Sequence, residues 1–133
     1  MFSIDALRFS SKDLRIWFSE IIRPKNNNTL KVKNIDGTFK LLDMREVNFI
    51  KSSGNYIEYH FEDEKFTVRQ TMKKTIEILK PFRHIKRVHR SYCINFNKIT
   101  SLDQKDVLLG ENRIPVSITY KPILTDYLDK NIN

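Results

Sequence analysis

The chain has 133 residues, a formal net charge of +8 at pH 7 and a hydrophobic content of 40%. This length fits one domain, and the hydrophobic content supports a packed core, which excludes wholesale disorder. The single cysteine excludes an internal disulfide and a zinc site built from several cysteines.

The N-terminal segment, residues 1–28, is predicted to form an amphipathic helix followed by a polar linker. Within the stretch SKDLRIWFSEII, apolar residues recur at helical spacing, namely Leu14, Trp17, Phe18, Ile21 and Ile22. This apolar stripe either packs back on the rest of the chain or pairs with a second copy. The second alternative predicts a homodimer through Leu14, Trp17, Phe18 and Ile21.

No segment has the features of a targeting or membrane-spanning sequence. No apolar run approaches the ~18 residues that a membrane span requires. The first residues include Asp5 and Asp13 and lack the continuous apolar region of a signal peptide. We therefore expect a cytoplasmic protein.

Residues 29–133 are expected to form the main domain, and their apolar residues recur mainly with the period of two that is typical of strands. The turn signal Asp36-Gly37 separates two short strands. A third strand begins near Val47, and the sequence YIEYHF at 56–61 alternates between apolar and polar side chains. Further strands are predicted at residues 65–69, 98–102, 106–109 and 113–116.

Two helices interrupt this strand pattern. The first is predicted to begin at Thr71 and to end before Pro81, and the second spans residues 120–128. They do not have the length and spacing of a helix-turn-helix. The fold is therefore predicted to be mainly β, and any contact with DNA must come from loops and strand ends.

The positive charge is concentrated between residues 65 and 98. This stretch contains ten Lys or Arg residues and one acid, Glu77, whereas the whole chain has a net charge of +8. A charge run is most often a solvated face, but interleaved apolar residues such as Ile85 and Val88 anchor this one to a core. A focused basic stretch on a small domain favours nucleic-acid binding.

A series of motifs lies between residues 53 and 121. The motifs are SGNY at 53–56, VRQTMK at 68–73, IKRVHRSY at 85–92, Asn95 with Lys98-Ile99, and IPVS at 114–117 followed by Tyr120-Lys121. In order and spacing they resemble the LytTR DNA-binding domain, the output domain of many bacterial two-component response regulators. The resemblance covers residues 29–128. It implies an elongated fold of antiparallel strands in small stacked sheets, whose loops enter the major groove at paired direct repeats.

The resemblance also implies three regions that contact DNA, namely residues 52–56, 87–91 and 117–121. The candidate DNA-binding residues are Ser52, Ser53, Asn55, Tyr56, Arg69, Lys86, Arg87, His89, Arg90, Ser91, Ser117, Thr119 and Lys121. In the third region Ile118 and Thr119 occupy positions where many family members have a basic residue, so base recognition there is left open.

The chemistry of these side chains suits DNA. The Asn55 amide can donate to and accept from a base edge, and Arg90 can form paired hydrogen bonds with guanine or hold a phosphate. Lys86, Arg87 and Lys121 suit phosphates, which position a protein without specifying a sequence.

Several of these residues, and some near them, have structural alternatives. Arg69 either contacts the DNA backbone or forms a buried pair with an acid, and His89 is either a hydrogen-bonded structural residue or a phosphate contact. Cys93 is predicted to be a small core residue. Three tyrosines are predicted as core residues rather than base-stacking residues: Tyr56, Tyr59 and Tyr92.

The leading hypothesis is a sequence-specific transcription regulator that binds paired direct repeats in double-stranded DNA. The alternative is a basic interaction module that binds nucleic acid without specificity or captures a partner through the N-terminal helix. Family members usually carry a receiver domain, for which 28 residues are too few, so the protein either acts alone or receives its input from a separate signalling protein. The sequence contains no nucleotide-binding loop, nucleophile motif or metal-ligand spacing, so we expect no enzyme activity, cofactor or metal.

Overall fold

The computed structural model describes residues 28–103 and 105–131. The predicted N-terminal helix and its dimerisation residues, Leu14, Trp17, Phe18 and Ile21, lie outside the described residues.

The described part of the chain consists mainly of short strands. In chain order they are β1 Thr29–Lys33, β2 Phe39–Asp43, β3 Phe49–Ser53, β4 Tyr56–His60, β5 Lys65–Arg69, β6 Ile85–His89, β7 Tyr92–Asn95, β8 Ser101–Leu102, β9 Asp106–Leu109 and β10 Asn112–Pro115. The helices are α1 Met72–Leu79, α2 Lys121–Asn131 and two 3-10 helices, Phe96–Lys98 and Ile118–Tyr120. The prediction of a mainly β fold with one short internal helix and a C-terminal helix is confirmed. Among the described helices, none combines the length with the apolar character that a membrane span requires.

The strands form three antiparallel sheets. The central sheet has the order β5-β4-β3-β7-β6. Strands β1 and β2 form a hairpin around the predicted Asp36-Gly37 turn, and β8, β9 and β10 form a small sheet of their own. The period-two pattern of β4 arises because Ile57 and Tyr59 are buried on one face, whereas Glu58 and His60 share the other face.

Two hydrophobic clusters, one on each face, hold these layers together. The first joins the central sheet to the β1–β2 hairpin and to α1, and it contains Val32, Leu42, Met44, Val47, Ile50, Ile57, Tyr59, Val68, Leu79, Phe82, Ile85 and Cys93. The second joins the central sheet to β9, β10 and α2, and it contains Phe49, Val88, Ile94, Phe96, Val107, Leu109, Ile114, Val116 and Leu124. The central sheet is therefore fixed from both sides, which makes its ends suitable supports for functional loops.

The predicted strand at residues 98–102 is wrong in its first part. Phe96–Lys98 is a 3-10 helix, and β8 contains only Ser101–Leu102. The cause is the buried Asn95 at the end of β7, whose side-chain Oδ1 accepts a hydrogen bond from the Asn97 backbone N at 2.9 Å. This local hydrogen bond turns the chain where the hydrophobic pattern favours an extended strand.

Candidate nucleic-acid interface

The β3–β4 turn and the β6–β7 turn lie side by side at one end of the central sheet. They do so because β3 and β7 are antiparallel neighbours, with Lys51 opposite Tyr92. Just beyond this pair, the Ser52 backbone N donates to the Ser91 carbonyl at 2.9 Å. The first and second regions that the sequence resemblance identified are therefore joined by a main-chain hydrogen bond.

The third region lies against the second. The Ser117 backbone N donates to the Val88 carbonyl at 2.9 Å. The Arg87 guanidinium lies over the Tyr120 ring, with 5.7 Å between its central carbon and the ring centroid. We call residues 52–56, 87–91 and 117–121 together the loop edge.

The end of β5 adjoins the loop edge. Arg69 lies opposite Tyr56 in the strand register, and the Gln70 backbone N donates to the Asn55 carbonyl at 3.1 Å. Helix α1 begins directly afterwards, with Thr71 Oγ1 accepting from the Lys74 backbone N at 3.1 Å. The start of α1 is therefore beside the β3–β4 turn, a proximity that depends on strand register and that local sequence patterns do not reveal.

Gly54 determines the shape of the β3–β4 turn. Its φ is +61°, and no described residue other than glycine has a positive φ. A two-residue hairpin turn with a positive φ only at its first central residue fits type II′, which matches the twist of the flanking strands. The neighbouring Asn55 is exposed at the tip of this turn.

The β6–β7 turn, Arg90-Ser91, reaches a similar position by other means. Neither residue of this turn has a positive φ, so it is not a type I′ or II′ turn, the types whose twist matches that of the flanking strands. A bulge in the register between Arg87 and His89 compensates, because a bulge increases the local twist. The buried Val88 belongs to the second hydrophobic cluster, against which Tyr92 packs, and the His89 ring contacts the Tyr92 ring edge-on.

Arg87 and His89 hold the β6–β7 turn in place. Arg87 donates from Nε to the His89 carbonyl at 3.3 Å and from Nη2 to the Arg90 carbonyl at 2.7 Å. His89 Nδ1 accepts from the Ser91 backbone N at 3.1 Å. These half-buried side chains therefore stabilise the turn, whereas the Arg90 side chain is exposed beyond it. For His89 these contacts support the structural alternative. Arg87 was predicted only as a phosphate contact, and the structure adds its hydrogen bonds to the turn carbonyls.

The candidate residues differ in exposure. Those with exposed side chains are Ser53, Asn55, Tyr56, Arg69, Arg90 and Thr119. Those that are half-buried are Ser52, Lys86, Arg87, His89, Ser91, Ser117 and Lys121. Lys86 lies in β6 four positions before Arg90, about 13 Å back along the strand, so it adjoins the loop edge but is set apart from the tip of the β6–β7 turn.

Two structural alternatives from the sequence are wrong, and two are confirmed. Arg69 is exposed, which excludes a buried pair with an acid, and Tyr56 is 42% exposed rather than in the core. Tyr59 and Cys93 are buried core residues. Burial raises the pKa of the Cys93 thiol to about 12, so it remains protonated and serves as a packing residue.

The charged residues at and beside the loop edge are all basic. The loop edge, the end of β5 and the start of α1 contain six basic residues, Arg69, Lys73, Lys74, Arg87, Arg90 and Lys121, and no acidic residue. The acidic tip at 62–64 connects the opposite ends of β4 and β5. Within residues 28–103 and 105–131, no acid forms an ion pair with Arg69 or Arg90. The domain thus presents a positive field at one end of its central sheet.

The sequence did not single out Lys73 and Lys74, although both lie within the basic stretch and are exposed in the first turn of α1. It also left open Ile118, whose side chain is 83% exposed on the loop edge. The role of a helix start or of an exposed apolar side chain can be inferred only once the strand pairing shows which residues lie beside it.

These features define a small β domain with a basic, acid-free binding edge built from turns. A comparison with protein families matches residues 37–129 to the LytTr DNA-binding domain. Since this match spans most of the chain, the protein belongs to the LytTR DNA-binding domain family. It is therefore a DNA-binding domain of the kind used in transcription regulation, and that part of the sequence prediction is confirmed.

A solved structure has the same fold. It is a LytTr DNA-binding domain from Bacillus cereus, with a TM-score of 0.61 and 22% sequence identity, over 76% of this chain and 96% of that chain. A comparison with curated proteins gives no match.

Proposed function

We propose that this protein is a transcription regulator that recognises specific sequences in double-stranded DNA by inserting the loop edge into the major groove. The observation that carries the proposal is the convergence of two hairpin turns, the 3-10 segment at 117–121 and six basic residues, without an acid, at one end of the central sheet. Electrostatic attraction brings such an edge to DNA, and the exposed polar side chains at its turns can then contact base edges.

The dimensions of the two hairpins suit the major groove. The β3–β4 and β6–β7 turns are centred about two strand spacings apart in the central sheet, which corresponds to about 10 Å. The major groove is about 12 Å wide. Along the helix axis the same separation corresponds to about three base pairs. Both turns can therefore approach base pairs about three steps apart in one groove.

The structure suggests a division of roles among the candidate residues. Asn55 and Arg90 have exposed, hydrogen-bonding side chains at the tips of the two turns, and we assign base recognition to them. We assign phosphate contacts to Arg69 and Lys121, which flank the turns. Arg87 positions Arg90 through the turn carbonyls instead of contacting DNA itself.

A single loop edge covers too few base pairs to select a site in a genome. We therefore propose that two copies bind adjacent direct repeats, as the family resemblance implies. The Bacillus cereus domain comes from a protein described as a methyl-accepting/DNA response regulator. We infer a corresponding role in two-component signalling for this chain, with the input supplied by a separate signalling protein or by a segment outside the described residues.

The test begins with selection of bound duplexes from a randomised pool, followed by titration of the selected duplex and a scrambled one at two salt concentrations. We expect two similar short repeats about one helical turn apart and a preference over the scramble of ~10³ or more. Arg90→Ala should relax the preference at one base pair by about 10- to 100-fold.

Arg83→Ala is the matched control, because Arg83 is also exposed and precedes the opposite end of β6. It removes the same charge away from the loop edge, and we expect the sequence preference to be unchanged. Equal effects of the two substitutions, together with equal binding of all duplexes, would refute sequence recognition and support the non-specific basic module.

A further inference from the structure

Ile118 is an apolar residue exposed in a basic surface. Its side chain is 83% exposed, more than that of any other exposed large hydrophobic residue in the described part of the chain. It belongs to neither hydrophobic cluster. Single exposed hydrophobic residues are common on protein surfaces and need no explanation by themselves. The position of Ile118 and the rigidity of its backbone are what distinguish it.

The backbone at Ile118 is held on both sides. The preceding Ser117 donates its backbone N to the Val88 carbonyl at 2.9 Å, and the Tyr120 backbone N donates to the Ser117 carbonyl at 3.0 Å. The Tyr120 ring in turn lies under the Arg87 guanidinium. Because isoleucine is β-branched and has few χ1 rotamers, its methyl groups have few positions available relative to the β6–β7 turn.

Ile118 does not belong to a larger apolar patch along its own helical segment. The nearest exposed large hydrophobic residue along the chain is Ile123, which is 45% exposed. The two are five positions apart, whereas residues three or four apart share a helix face. Nothing along this segment extends the apolar surface of Ile118, which favours a ligand that offers a small apolar group within a polar, anionic surface.

The major groove offers one apolar group of this kind, the C5 methyl group of thymine. Resting on the function proposed above, we propose that Ile118 contacts a thymine methyl group and thereby specifies an A·T pair beside the base pair recognised by Arg90. The third region of the loop edge then recognises a base by apolar contact, although Ile118 and Thr119 occupy the positions where many family members have a basic residue.

Deoxyuridine provides a direct test, because it lacks only the C5 methyl group of thymidine and pairs with adenine in the same way. Each thymine of the selected duplex is replaced in turn, and the dissociation constants of the wild-type protein and Ile118→Ala are measured. We expect one replacement to weaken wild-type binding about four-fold, the effect of losing one buried methyl group. The same replacement should leave the affinity of Ile118→Ala unchanged.

Ile123→Ala is the matched control, since it removes the same atoms from an exposed isoleucine in helix α2, beyond the loop edge. It should retain the wild-type response to deoxyuridine. Thermal unfolding should show that neither substitution alters stability, because both side chains are exposed.

The outcomes separate this inference from the proposed function. If no deoxyuridine position affects the wild type, or if Ile118→Ala still responds to it, the methyl contact is refuted while recognition by Arg90 stands. If Ile118→Ala weakens binding to all duplexes equally, Ile118 has a general role and the inference is also refuted. If no sequence is selected at all, the proposed function fails and the inference fails with it.

Discussion

Replacing Arg87 tests whether this residue positions the β6–β7 turn or contacts a phosphate. In Arg87→Met the aliphatic stem remains and the guanidinium is lost. The structure indicates what is removed: hydrogen bonds to the carbonyls of Arg90 at 2.7 Å and His89 at 3.3 Å, and the contact with the Tyr120 ring at 5.7 Å. The short bond is exposed to solvent and is worth about 1 kcal/mol, and the other two contacts add a few tenths each. We therefore expect the free energy of unfolding to fall by about 1–2 kcal/mol.

Loss of the Arg87 guanidinium should also weaken DNA binding, because Arg87 holds the turn that carries Arg90. Once its carbonyl and that of His89 lose their common donor, the turn that carries the Arg90 side chain is less ordered. We expect about ten-fold weaker binding to the selected duplex and little change for scrambled DNA, which corresponds to about 1.4 kcal/mol. The measurement is a salt titration of both duplexes. A residue that acts by positioning leaves the slope of log K against log[salt] unchanged, whereas loss of a phosphate contact reduces the slope by about one.

Arg69→Met is the comparison, because Arg69 is exposed and is assigned to a phosphate. This variant should show a slope reduced by about one and an unaltered preference for the selected sequence. The reasoning about Arg87 is refuted if Arg87→Met behaves in the same way, with a smaller slope, an unchanged preference and an unchanged unfolding free energy.

Substitutions at three further positions test the support of the loop edge by urea unfolding. Asn95→Ala should lower the free energy of unfolding by about 3 kcal/mol. The buried Asn95 amide donates to the carbonyls of Arg45 and Val47 at 3.1 and 2.9 Å, and the substitution removes this donor from both carbonyls. A loss below about 1 kcal/mol would contradict this account. Tyr59→Phe should raise the free energy of unfolding by up to about 1 kcal/mol, because the buried hydroxyl of Tyr59 makes no well-formed hydrogen bond among the described residues, although the Gln70 side chain interacts with it. Burial also raises the pKa of Tyr59 from 10.0 to about 12, so wild-type stability should fall as the pH rises from 10 to 12. The Tyr59→Phe variant should show a smaller fall over the same range, and identical pH profiles would argue against burial as the cause. Gly54→Ala should destabilise by about 1–2 kcal/mol through its φ of +61° alone, since an added Cβ meets nothing within 4 Å. Gly54→Asn should cost less, because asparagine tolerates this conformation better, and equal losses would indicate a steric cause instead.

The sequence predicted those features that depend on local patterns. The Asp36-Gly37 turn, the alternation in β4 and the start of α1 at Thr71 are each determined by neighbouring residues, so a hydrophobic period and a turn signal were enough. The strand predicted at 98–102 was wrong in part because one buried side chain, Asn95, bonds to the backbone two residues ahead. A pattern of hydrophobicity carries no information about such a bond.

The roles within the site could not be predicted in the same way. Arg87 and Arg90 are both cations in one basic run, and the sequence offers no means of distinguishing a guanidinium that binds carbonyls from one that is exposed. The distinction arises from the bulge in β6, which is a property of the pairing between β6 and β7. The pairing of β3 with β7 likewise determines that the turns at Asn55 and Arg90 are adjacent.

Because the site is formed by strand pairing, its specificity for DNA depends on the backbone of the central sheet. Asn55 and Arg90 lie on turns whose strands belong to one sheet, and the main-chain bond from Ser52 to Ser91 joins those turns. Their separation is therefore determined by backbone hydrogen bonds and not by side-chain packing between independent elements. Substitutions in the hydrophobic clusters that preserve the strand pairing should lower stability without changing the preferred DNA sequence. Those at Gly54 or Arg87, where a turn meets its strands, should lower both the stability and the strength of the preference for the selected sequence.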